Sequence, residues 1–151
     1  MEKTLEMLIE PRPKERPRVA MIGGHPRIYT PKKTEEYEEA IRKAWIKANG
    51  EDPFTGPLVL RVWLGMRIPK STSKVNRVAM LERRIRPTVK PDVDNCAKSV
   101  LDALNGVAYK DDNQIVTLLA KKYYTETPCI KVVVAEWTKS RKGDEHGISE
   151  E

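Results

Sequence analysis

In 151 residues this chain carries 28 Lys and Arg against 22 Asp and Glu, a formal charge of +6, with 39% hydrophobic and 33% charged residues. That length suits one domain with one core, and the charge predicts a heavily cationic surface that favours polyanionic partners. The longest apolar runs, such as VVVA at 132 to 135, fall far short of the roughly 18 to 20 residues a membrane span needs, and no apolar signal-peptide core opens the chain. Cys96 and Cys129 form no CxxC, which argues against a disulfide framework or a zinc site and suits two buried thiols in the cytoplasm.

The opening TLEMLIE alternates around Leu5, Met7 and Ile9, the period of a strand with one buried face. VAMIG and RIYT then flank Gly23-Gly24-His25-Pro26, which predicts a hairpin. Thr30 as cap and Pro31 as first helical residue open a helix with Tyr37, Ile41, Ala44, Ile46 and Ala48 on its apolar stripe, ending near Asn49-Gly50. Leu58 to Ile68 reads as a strand that Pro69 terminates. STSKVNRVAMLERR has a capping start at Ser71 to Ser73 and apolar positions Val75, Val78 and Leu81, so it predicts a short helix whose exposed face is cationic. Asp94 to Asn105 predicts a helix with Cys96, Ala97, Val100, Leu101 and Leu104 inward and Gly106 as its stop. IVTLLAKKYY and CIKVVVAEW are two strands joined by a TETP turn. The domain so defined is 1–138, followed by a polar, frayed tail at 139–151.

Charge is concentrated rather than spread. PRPKERPR interleaves Arg12, Lys14, Arg16 and Arg18 with prolines that stiffen it and discourage helix. From Arg67 to Lys90 the chain sets Arg67, Lys70, Lys74, Arg77, Arg83, Arg84, Arg86 and Lys90 against Glu82 alone. That run leads straight into KPDVDNCAKSVLDALNGVAYKDDNQ, which gathers Asp92, Asp94, Asp102, Asp111 and Asp112. Acids massed in a basic chain provide what metal-dependent phosphodiester chemistry needs: hard oxygen ligands for a divalent ion and a positive approach for a polyanion.

Asp92 and Asp94 precede the helix, where extended backbone projects side chains two apart to the same side. Lys98 follows Asp94 by one turn and can neutralise a phosphate. A chain reversal after the helix can return Asp111 or Asp112 to the pair, which would give an open octahedral magnesium site. Simpler roles compete: Asp92 or Asp94 as an N-cap, Lys98 and Asp102 as an i to i+4 pair, and Asp111-Asp112-Asn113 as a solvated turn. An EF-hand is excluded, because a loop counted from Asp92 has Ala97 in place of its glycine and Ala103 in place of its glutamate. His25 in a glycine turn and His146 in the tail offer no nucleophile-histidine triad.

K-P-D-V-D-N-C-A-K at Lys90 to Lys98, D-A-L-N-G at Asp102 to Gly106 and K-D-D-N-Q-I at Lys110 to Ile115 occur here in that order. With R-P-R at Arg16 to Arg18, Y-T-P at Tyr29 to Pro31 and I-R-P at Ile85 to Pro87, they make the chain resemble the RusA-type Holliday junction resolvases of bacteria and prophages, from about Arg16 to Trp137. The resemblance implies an α+β fold, a single mixed sheet with helices packed on it, in a homodimer that acts on branched DNA with Mg²⁺ or, in its place, Mn²⁺. It implies Asp92 and Asp94 as paired metal ligands, Asp112 as the distal catalytic aspartate and Lys98 as the essential lysine. Asp111 stands beside Asp112, and the residues leave the distal ligand open between them.

The expected reaction is hydrolysis of DNA phosphodiesters by water activated on Mg²⁺, giving paired nicks with 5′-phosphate ends. Lys70, Lys74, Arg83, Arg84, Arg86 and Lys90 are expected to line the strand path, with Lys14, Arg16 and Arg18 gripping phosphates nearby. Two other functions fit the residues: a junction-binding protein without catalysis, and a magnesium nuclease for other branched or single-stranded substrates. The tryptophans and tyrosines are expected in the core or an interface, Tyr109 being the one that borders the acidic turn.

Overall fold

In the strand β4 (Leu58–Arg67), Leu58, Leu60, Val62 and Leu64 alternate inward while Val59, Arg61 and Trp63 face outward, and this period of two organises the molecule. The computed structural model describes residues 1–139, so the tail expected at 139–151 lies, but for Lys139, outside the described residues, as does His146. β4 lies inside a mixed four-stranded sheet with β1 (Glu2–Met7), β5 (Ile115–Thr125) and β6 (Cys129–Glu136). The order is β1-β6-β4-β5, with β4 and β5 parallel and the other pairs antiparallel. Register sets Leu60 beside Val134, Val62 beside Val132 and Leu64 beside Ile130, and all six are buried.

Three helices complete this single α+β domain: α1 (Lys32–Asn49), α2 (Lys74–Leu81) and α3 (Val93–Leu104). α1 delivers Tyr37, Ile41 and Trp45 to the core, and α3 delivers Cys96, Val100, Ala103 and Leu104. α3 packs on α1 and on β4 and β5. Because β4 and β5 are parallel neighbours, the chain between them must cross from one end of the sheet to the other, and α2 and α3 lie on that crossover.

The turn after β5 also skips a neighbour. β6 pairs with β4 rather than with β5, so the TETP reversal passes over β4, where Thr125 Oγ1 donates to Thr127 O at 2.8 Å. Gly65 lies beneath it: a Cβ there would stand 2.5 Å from Cys129 Sγ and 2.9 Å from Thr125 Cγ2. Absence of a side chain at residue 65 is what lets the crossing close.

Several local expectations change. The helix α1 is capped by Pro31, with no side-chain cap from Thr30, and Thr34 N and Glu35 N donate to Pro31 O. The hairpin of β2 (Arg18–Ile22) and β3 (His25–Tyr29) turns on Gly23-Gly24 alone, both at positive φ, so His25 and Pro26 belong to β3. In α2, Ser73 caps as its position suggests, accepting from Asn76 N. The apolar row of α2 points the other way from expectation: Val75, Val78 and Leu81 are exposed and Ala79 is the buried residue, so the outer face is largely apolar rather than cationic. Tyr109 is fully buried and donates its hydroxyl to Leu101 O at 2.7 Å, a core residue.

Candidate active site

α3 begins one residue earlier than its pattern suggests, with Asp92 as N-cap and Val93 as first helical residue. Asp94 therefore stands in the first helical turn rather than on extended backbone beside Asp92. Both carboxylates are exposed, and neither has an ion pair or hydrogen bond among the described residues. The N-terminal end of the helix dipole favours negative charge at this position.

The acids farther along have partners. Asp102 receives Lys98 on one oxygen at 3.8 Å and Lys14 on the other at 3.1 Å, and Lys14 also pairs with Glu38. Burial alone would lower the Lys14 pKa, but hydrogen bonds to Glu38 and Asp102 outweigh it and raise it. Lys14 N further donates to Asn95 O at 3.1 Å. The proline-rich segment is thus a strap across α1 and α3, and the Lys14 charge is balanced within the protein.

Past α3, a 3₁₀ turn at Asp112–Gln114 is capped by Asp111, whose Oδ1 accepts from Asn113 N at 2.9 Å. Gln114 fixes this turn from both sides: Oε1 accepts from Lys110 N and Asp111 N, while Nε2 donates to Phe54 O and Gly56 O. Its position three after Asp111 is the spacing of a capping box, the sequence signal by which it could have been singled out. Asp112 shares a hydrogen bond with Asp111, and this bond, partial burial and the nearby charges of Asp111 and Asp102 raise its pKa against the opposing pull of Lys98.

Lys98, Asp102, Asp111 and Asp112 therefore form one electrostatic neighbourhood, while Asp92 and Asp94 form another at the far end of α3. Among the described residues no group of three or more His, Cys, Asp or Glu side chains is arranged to hold an ion. The donor chemistry nonetheless suits a hard cation: unpaired carboxylates at one end, and at the other a carboxyl whose like-charged neighbours a cation would relieve. Cys96, buried beneath Asp92 and Asp94, has its thiol pushed up to about 11 by burial, which leaves it protonated and without a nucleophilic role at neutral pH.

The cations divide into engaged and free. Arg86 donates twice to Lys122 O, at 3.2 and 2.8 Å, Arg84 pairs with Glu82 at 2.9 Å, Arg18 with Glu15 at 3.6 Å, and Arg83 lies over the Tyr123 ring at 4.5 Å. Arg16, Lys70, Lys74 and Lys90 are exposed with no ion pair among the described residues. Lys90, Arg12, Lys33 and Arg67 line a cleft of about 830 Å³ that reaches Pro91. Lys122, which no motif marks, donates from β5 to Val89 O at 2.8 Å and Pro91 O at 2.9 Å.

Two comparisons with known proteins bear on this site. A family model described as endodeoxyribonuclease RusA matches residues 9–135, which include Asp92, Asp94, Asp102, Asp111 and Asp112 and all of the sheet except β1 and Glu136. The uncharacterized protein YqaN of Bacillus subtilis (strain 168) is similar, 36% identical over 129 residues that cover 84% of this chain and 91% of that one.

Proposed function

The chain belongs to the RusA endodeoxyribonuclease family, and from that premise we propose that it resolves four-way DNA junctions by paired symmetrical nicks, as a cytoplasmic, Mg²⁺-dependent homodimer. The observation that carries this reading is the pair of exposed, unpartnered carboxylates at the start of α3, reached from a cationic segment. Asp92 and Asp94 are the proposed ligands at one end and Asp112, with Asp111 as the alternative, at the other. A bound Mg²⁺ supplies a water of lowered pKa and neutralises charge on the phosphate.

The chain's own residues do the rest. Lys98 rests on Asp102 in the free protein, one helical turn after Asp94, and its charge would stabilise the negative charge developing on a phosphate. Asp102 holds the ammonium along the face of α3 that they share, one turn apart. Arg16, Lys70, Lys74 and Lys90 grip the DNA backbone, because their charges are not committed elsewhere. Lys14 and Arg86 act instead on the protein, as strap and clasp. A four-way junction has approximate two-fold symmetry, so a two-fold dimer presents one site to each strand to be cut.

Cleavage of a labelled four-way junction, compared with linear duplex and single strand in Mg²⁺ and in EDTA, tests the proposal. Paired nicks in the junction alone, abolished by EDTA, are expected. Equal cutting of single strands or flaps would make it a nuclease of other substrates, and tight binding without a nick would make it a junction-binding protein.

A further inference from the structure

We propose that Lys122 is a positioning residue for the Asp92 and Asp94 carboxylates, acting through the segment from Arg86 to Pro91; this rests on the ligand role proposed above for those acids. Lys122 lies beside Leu64 of β4 in the parallel register, on the sheet face that the helices cover. An apolar side chain is the ordinary occupant of such a site, and a lysine is tolerated there only if its donors are used. They are used on a single stretch of chain. The ammonium donates to Val89 O at 2.8 Å and to Pro91 O at 2.9 Å, and the Lys122 carbonyl accepts from Arg86 Nε at 3.2 Å and Nη2 at 2.8 Å.

Four hydrogen bonds thus close residues 86 to 91 onto one strand residue. Among the described residues the segment makes no other hydrogen bond, and Pro87 and Pro91 lack an N–H. Pro91 O belongs to the peptide that enters Asp92, so fixing it fixes where α3 starts and where its first two acids project. Groups that orient ligands in this way change metal affinity or activity by about 10- to 100-fold when removed.

The test compares full-length wild type, Lys122→Met and Lys122→Arg. Lys122→Met is expected to fold and to bind a four-way junction in EDTA as wild type does, yet to cut about 10- to 100-fold more slowly with its Mg²⁺ midpoint moved upward. Amide exchange across residues 88 to 95 should quicken, and Lys122→Arg should recover most of the rate. Cutting by Lys122→Met at the wild-type rate and Mg²⁺ midpoint overturns the proposal. So does a parallel fall in stability, binding and rate with the Mg²⁺ midpoint unmoved, which marks a lysine that only supports the fold. If Lys122→Met does not fold, Arg86→Gln, which loosens only the grip on the Lys122 carbonyl, takes its place with the same expected and overturning results. If wild type leaves the junction uncut, the resolvase reading fails by itself. Calorimetric Mn²⁺ titration then decides the role of Lys122: weaker binding by Lys122→Met upholds it and equal binding overturns it.

Discussion

At the N-terminal end of α3, Asp92 and Asp94 are exposed and without partners among the described residues, whereas near its C-terminal end Asp102 sits between two ammonium groups. The side chain is the same and the compensation differs. Acids at the first end have oxygens to spare for a cation or its waters, while Asp102 already has its counter-charges and serves to hold Lys14 and Lys98 in place. Acidic residues clustered in sequence are therefore not interchangeable in space: the helix sorts them into candidate ligands and lysine holders.

Substitution at the open end should have the largest effect. Asp94→Asn is expected to lower single-turnover cleavage on the order of 10²-fold or more while leaving junction binding in EDTA unchanged, since it removes an electrostatic role rather than a phosphate contact. Loss of a first-turn charge should shift stability by less than about 1 kcal/mol. Cleavage by Asp94→Asn at the wild-type rate would erase the distinction between the two ends.

Gly65→Ala touches neither end and calibrates what instability alone does. Its Cβ meets Cys129 and Thr125 at distances no packed carbon adopts, so denaturant unfolding should show a loss of about 1 to 3 kcal/mol. Below its unfolding temperature the variant should keep the wild-type Mg²⁺ dependence, which would separate fold from site.

Asp102→Asn, at the compensated end, should show the reverse of Asp94→Asn. Lys14 keeps Glu38 and the pair is partly solvated, so the expected cost is about 1 kcal/mol in denaturant unfolding, with cleavage reduced by less than Asp94→Asn reduces it. A loss of cutting as deep as that of Asp94→Asn, at wild-type stability, would move Asp102 into the group of ligands.

The smallest effect is a pH dependence. Asp112 has a raised pKa, so the folded chain holds that proton more tightly than the unfolded chain does. Its contribution is fully present below the ordinary Asp value of 3.8 and is lost as pH rises through the folded value. Asp112→Asn should consequently melt higher than wild type at neutral pH, with the difference closing near about pH 3, as differential scanning calorimetry can record.

Much of this was legible in the residues, for reasons that also mark the limits. Strand and helix periods located β4, α1 and α3 because those elements bury one clean face, and the spaced motifs located the acids. Strand order was not legible: IVTLLAKKYY and CIKVVVAEW follow one another across a short turn, yet β4 lies between them, a choice made by which inner faces meet. α2 misled because Val75, Val78 and Leu81 have helical spacing whether the row faces core or solvent. In the site, sequence gave the identity of the acids but not their partners. Nothing about Lys14, Arg86 or Lys122 distinguishes them from the exposed lysines and arginines around them until a carbonyl or carboxylate is seen at the end of each side chain.

The parallel pairing of β4 with β5 has a consequence for how this chain is made. Leu58 must find Ile115, and everything from the strap's partner helix face to the acidic turn is synthesised before the second of these strands is complete. Such long-range pairing forms slowly, because a large loop must close before any contact rewards it. A nascent chain that has emerged only as far as Lys110 already carries Asp92, Asp94 and Lys98, but lacks the strand residue that ties down the approach to them. Assembly of the candidate site is in this way deferred until β5 and then β6 have been made.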